Sequence, residues 1–184
     1  SLAQMLTAQI AALTTAEIVA LTTAQAQAVT STQAQALGTA QVQALETADF
    51  VSINTRSLAA LGTAQIVAIS TAQARALMTA QAFAITTAQV QALETADFAA
   101  ISTTSLAALD VTQVIAITTA QAQSLSTAQA VALGTTQVQA LETADFASIS
   151  TQSLAALKTA QMVAITTDQA QAFTTAQAFA LGTA

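Results

Sequence analysis

Everything in this chain is a variation on Gly38-Thr39-Ala40-Gln41-Val42-Gln43-Ala44-Leu45, an octad that recurs with substitutions from end to end. Aligned on Thr39, a threonine returns in every octad from Thr7 to Thr183, and only Ser31 and Val111 break the column. Self-similarity at a fixed period marks a solenoid, in which each unit packs on its neighbours and length counts repeats rather than domains. A second period lies on the first. The run GTAQVQALETADF at Gly38 returns with small changes at Thr86 and Gly134, and Ser-Leu-Ala-Ala-Leu follows at Ser57, Ser105 and Ser153. The larger unit is six octads, so the single array 1–184 contains superrepeats 38–85, 86–133 and 134–181. Both ends fall in mid-octad without an evident polar cap, so we expect the array to belong to a longer one or to join other copies.

Numbering the octad from Gly38 as position one, a continuous α-helix would rotate equivalent side chains by about 80° per octad and never form a stripe. One short helix per octad fits better, since Ala, Gln and Leu are strong helix formers. Threonine at position two reads as the N-cap, and Gln, Glu, Asp or Ser at position four sits in the first turn. Position one, with Gly38, Gly62, Gly134, Gly182 and Asn54, reads as a left-handed stop of the preceding helix. Positions five and eight, such as Val42 and Leu45, stand three apart on one helical face and form the expected core pair. Alanines at three and seven, such as Ala40 and Ala44, would let neighbouring helices approach closely, and position six would alternate between surface and partial burial. The expected fold is all-α, a solenoid of very short helices. A β-solenoid is the alternative, because an even period keeps side chains on one sheet face from coil to coil; Ala and Gln are poor or neutral strand formers. Helices this short are unstable alone, so stability must come from stacking.

Composition excludes several classes of function. A net charge of −6 with three cations, Arg56, Arg75 and Lys158, cannot neutralise a phosphate backbone, so we expect no nucleic-acid partner. Thr and Gln interrupt every apolar run well short of a bilayer span, so no membrane insertion is expected despite a mean hydropathy of +0.60. No cysteine or histidine is present, which removes thiol chemistry and the commonest general base.

The sharpest candidate constellation is Glu-Thr-Ala-Asp-Phe, which places Glu46 with Asp49, Glu94 with Asp97, and Glu142 with Asp145. One such carboxylate pair in each superrepeat resembles an acidic ladder for calcium. The spacing lacks the dense Asp, Asn and Gly pattern of calcium loops, and acids near a helix start complement its dipole, so we expect no metal and no cofactor. Phe50, Phe98 and Phe146 sit at position five and read as core. Ser57, Ser105 and Ser153 have no usual base to activate them and read as first-turn caps, so we expect no enzyme. The threonine column, if stacked in register, would line hydroxyls along the array, where they would serve as caps or meet a regular glycan or ice lattice.

The motif T-A-Q-x-x-A-L, as in Thr63 to Ile69 and Thr87 to Leu93, resembles the LTTAQVAALTTAQ-type arrays of very large exported proteobacterial proteins described as adhesins or repeat proteins. The resemblance covers essentially the whole chain and implies a structural role at the cell surface or outside the cell; it carries over no functional residues. The expected function is a self-associating stalk, surface-layer or filament element; the alternative is a module binding glycan, ice or calcium. Apolar ends and sparse charge predict end-to-end homo-oligomers, suppressed by charge at Ile10 or Phe179 more than at Gln89, which is taken as solvent-facing.

Overall fold

A computed structural model describes residues 4–181. It contains 22 short α-helices and no strand among the described residues, one helix per octad, of four to seven residues each. Each helix packs against the one three places later: Thr15–Val19 on Thr39–Ala44, Thr47–Phe50 on Thr71–Ala76, Thr119–Gln123 on Thr143–Ser148. Three octads therefore make one coil, and the solenoid has three faces. The six-octad superrepeat is two coils.

The helix boundary lies one residue earlier than the threonine column suggests. The N-cap is position one, not position two: Thr86 Oγ1 accepts from the backbone N–H of Gln89 at 3.2 Å, and Thr87 is the first helical residue. Position one is correspondingly extended, with Gly38 at φ −74° and ψ 159°. No described residue has a positive φ, so the expected left-handed stop does not occur at Gly38, Gly62, Gly134 or Asn54; Gly182 lies outside the described residues. Each helix instead ends by running into the extended N-cap of the next, with a short chain reversal at positions seven and eight. Leu93, for example, donates its N–H to the Gln89 and Val90 carbonyls before the chain turns into Glu94.

Positions five and eight fill the interior, as their spacing predicts: Val42, Phe50, Leu58, Leu45, Ile53 and Leu61 are all buried. Position three is exposed at Ala40, Ala64 and Ala88, so the close approach expected of it falls to position seven, where Ala44, Ala92 and Ala140 pack partly buried against the core. Position six lies on the surface or half-buried, as at Gln43 and Val51.

The three faces differ at position five. Along one, Val42, Ile66, Val90, Val114 and Val138 repeat a β-branched side chain; along the second, Phe50, Ala74, Phe98, Ala122 and Phe146 alternate; along the third, Leu58, Ala82, Leu106, Ala130 and Leu154 alternate. Coils with large side chains thus stack between coils with small ones, the interdigitation that lets a core reach native density. The side chains at positions five and eight form one continuous apolar cluster along the array. One enclosed gap of about 10 Å³, lined by residues such as Ile10, Ile18, Val29 and Leu45, is about the size of a single water probe.

Candidate functional site: the polar ladder between coils

Position four is the element that the sequence reading underestimates. Gln41, Gln65, Gln73, Gln81, Gln89, Gln113, Gln121, Gln129 and Gln137 are all buried, and Gln89, which looks solvent-facing by composition, is 2% exposed. Each amide works in two directions. Its Oε1 accepts from the N-cap backbone N–H of its own helix, Thr86 to Gln89 at 2.8 Å, which closes a capping box. Its Nε2 donates to two carbonyls one coil earlier, Leu58 at 2.9 Å and Leu61 at 2.8 Å, which lie at the end of one helix and the entry of the next. The same pair of bonds recurs from Gln41 to Ile10 and Leu13, from Gln73 to Val42 and Leu45, and from Gln121 to Val90 and Leu93.

The chemistry explains the residue type. Carbonyls left over at a helix end need donors, and the N-cap N–H needs an acceptor, so the bridging group must carry both at one tip. A primary amide does; a carboxylate accepts only. Glu17 is the one glutamate at position four, and it is exposed on Thr15–Val19, which has no helix three places earlier among the described residues. The signal lies in the repeats: position six accepts Gln, Val, Ile, Arg, Ala or Phe, whereas position four changes only to Ser, Asp or Glu.

Ser57, Ser105 and Ser153 occupy the same buried position. They do not use their hydroxyls as caps, as expected, but donate them to the coil below: Ser57 Oγ to Val29 O at 2.8 Å and Ser105 Oγ to Leu77 O at 2.6 Å. The cap is supplied at position one, where Asn54 Oδ1 accepts from the Ser57 N–H at 3.0 Å. These serines are thus hydrogen-bonded inside the core rather than presented to a substrate.

The acidic pairs are split by the fold. Glu46, Glu94 and Glu142 are exposed N-cap residues whose side chains make no cap bond, while Asp49, Asp97 and Asp145 take the place of the buried glutamine. Burial, and secondarily the nearby Glu46 carboxylate, push the Asp49 carboxyl up from its ordinary value. Asp97 Oδ1 accepts from Thr71 Oγ1 at 2.7 Å and Asp145 Oδ1 from Thr119 Oγ1 at 2.6 Å. Among the described residues no three or more Asp, Glu, His or Cys side chains gather as a metal site would require. Phe50, Phe98 and Phe146 lie fully inside the core, Phe146 against Phe173 with ring centroids 5.6 Å apart. Released from capping, most of the threonine column stands exposed, as at Thr39, Thr63 and Thr87 on one face.

The model of the ALTTAQ repeat matches residues 42–78, 90–127 and 138–175, more than half of the chain. The protein belongs to the ALTTAQ repeat family. The three matches begin six octads apart, the spacing of one pair of coils. No curated protein and no solved structure matches the chain. In the ALTTAQ unit the residues with the most regular roles are those that hold one coil to the next, and no described helix is long and apolar enough to cross a membrane.

Proposed function

We propose that this ALTTAQ array is a structural spacer, a stalk or filament element of a larger exported bacterial surface protein, with no enzymatic activity. One observation carries this reading: the interior polar side chains, Gln and Ser, serve to tie coil to coil, which makes a rod whose length scales with repeat number. The octads' resemblance to arrays of large exported proteins supports the extracellular placement and the membership of a longer array.

The same ladder supports end-to-end self-association of a chain of this sequence. Gln9 and Gln25 are exposed; their Oε1 atoms accept from the N-cap N–H of their own helices, Leu6 and Thr22, and their Nε2 atoms reach no carbonyl among the described residues. At the other end the position-eight carbonyls of Leu157 and Ile165 receive no glutamine among the described residues, and Leu157, Ile165 and Phe173 are only partly covered. Donors at one end and acceptors at the other make a heterologous contact that need not close. Light scattering over a concentration series should show growing oligomers. Gln9→Glu with Gln25→Glu should suppress them, whereas Gln43→Glu on the exposed flank should not. A monomer at high concentration, with both ends intact, overturns the association.

A second reading, a binding module, is favoured by the exposed threonine column alone, because its hydroxyls are not needed for the caps. Its ligand would be a regular surface such as a crystalline polysaccharide or ice. Co-sedimentation with the polysaccharide, or shaping of ice crystals, that is lost on Thr→Val changes along one face would establish it; no retention and no shaping would dismiss it.

A further inference from the structure

The coil-to-coil ladder has a regular interruption. Wherever position four is Gln or Ser and a coil lies beneath it, its side chain donates to the position-eight carbonyl of that coil, as Gln121 does to Leu93 at 2.8 Å and Ser105 to Leu77 at 2.6 Å. At Asp49, Asp97 and Asp145 the corresponding carbonyls belong to Leu21, Ile69 and Ile117, and no donor reaches them among the described residues. The three aspartates are 3%, 4% and 5% exposed, stacked on one face in every second coil. Asp49 Oδ2 is buried with no hydrogen-bond partner among the described residues. In Asp97 and Asp145, Oδ1 takes the hydroxyl of Thr71 or Thr119, which leaves Oδ2 as the second oxygen.

We propose that Asp49 is a proton-binding group, which in its neutral form donates its carboxyl O–H to the Leu21 carbonyl of the coil beneath and so completes the ladder there in acid. Reach is not limiting, because serine, which is shorter, and glutamine, which is longer, both span the same gap. A carboxylate there accepts only and faces another acceptor; a carboxylic acid has the missing donor. Burial penalises the charged form in the same direction, in keeping with the upward push on Asp49.

The charged surroundings are sparse. Thr47–Phe50 packs on Thr23–Gln27 and Thr71–Ala76, Thr95–Ala100 on Thr71–Ala76 and Thr119–Gln123, and Thr143–Ser148 on Thr119–Gln123 and Thr167–Gln171. These neighbours contribute the exposed Arg75 and Asp168; the helices' own N-caps contribute the exposed Glu46, Glu94 and Glu142. A group whose folded-state pKa is raised stabilises the fold below its unfolded value and loses that contribution as pH rises through the folded value. The array should therefore tighten on acidification from neutrality. The opposite trend sets in at lower pH, as Asp110, held down by the Thr112 hydroxyl and the Gln113 N–H, and Glu17, held down by the Thr14 N–H, take up protons.

Melting temperatures of the full chain between neutral pH and the ordinary carboxylate range test this. The native sequence should gain several degrees on acidification. Asp49→Asn, permanently neutral and able to donate, should start at the higher temperature at neutral pH and stay level. Glu46→Gln should keep the acid-induced rise. An Asp49→Asn variant that melts lower at neutral pH, or keeps the native slope, overturns the proposal, as does loss of the rise in Glu46→Gln. Carbon NMR of the native chain gives a reading independent of any variant: the Asp49 carboxyl should titrate above the ordinary aspartate range, and titration at or below it would be decisive against a proton site.

Discussion

At the scale of single residues, Gln89 shows why a residue of exposed character is held inside. Its amide makes three of the four hydrogen bonds open to it, one within its helix and two to the previous coil. Replacement by glutamate keeps the size and the cap acceptor but removes both donors and buries a charge opposite two carbonyls. An unsatisfied buried polar group costs about 1–3 kcal/mol, and a charged one more. Gln89→Glu should therefore lower the unfolding free energy at neutral pH by about 3 kcal/mol or more, measured by urea denaturation. The reverse change, Glu17→Gln, falls on an exposed helix with no coil beneath it and should shift stability by no more than about 0.5 kcal/mol, the usual range for a neutral surface site. Equal effects from the two changes would mean that the glutamine ladder contributes no more than an ordinary capping box.

At the scale of the element, a helix of about one and a half turns is legible because each octad carries its own helix formers and its own core pair at positions five and eight. Two things are not. The threonine column points to a cap one residue late, because Thr39 and Thr87 are regular enough to look like caps, whereas the N-cap position varies: Thr, Ser, Asn or Asp where the side chain caps, and Gly, Glu, Met, Lys or Leu where it does not. Gln41 and its equivalents look like surface residues because burial of an amide is decided by partners a whole coil away in the chain, which no local pattern announces. On the second and third faces positions four and five change together, whereas the first face, from Val42 to Val138, keeps Gln with Val or Ile. Phe98 and Leu106 follow the short Asp97 and Ser105, while Ala74 and Ala122 follow the long Gln73 and Gln121, so on those two faces a volume shared by the two side chains is expected. Phe98→Ala alone should cost about 3–5 kcal/mol, and Asp97→Gln alone should crowd the intact phenylalanine. Combined, they recreate the octad around Gln121, so the double variant should be more stable than the sum of the singles predicts by at least about 1 kcal/mol, a coupling that a double-mutant cycle in urea would read. Strict additivity would remove the shared-volume explanation.

At the scale of the whole molecule, two periods must be kept at once: one octad for the helix, and six for the alternation of large and small coils. Three octads per coil could not be read from the octads, since six octads per superrepeat allow several coil sizes, and only the packing of each helix on the third one along selects among them. The choice has a consequence for deletions that runs against their size. Removing 86–133, two whole coils, joins the small coil 62–85 to the large coil 134–157, the same kind of neighbour it has in the native chain. Removing 86–109, one coil, keeps every octad on its own face but stacks two small coils, with Ala74 against Ala122 and Ala82 against Ala130, and leaves voids where Phe98 and Leu106 stood. Removing only 86–93 moves every later octad round by one face, so that Phe98 enters the column of Val42 and Ile66, and Phe146 follows it there. A solenoid's stability is a sum over units and their interfaces; the first deletion loses interfaces but spoils none, the second spoils one, and the third mismatches the junction coils and all face-specific pairs across them. Thermal melts should therefore rank the two-coil deletion closest to the native chain, the one-coil deletion below it, and the single-octad deletion lowest, although it removes the least protein. A ranking that simply follows the length of chain lost would show that the three faces are interchangeable and that the alternation of coils carries no stability.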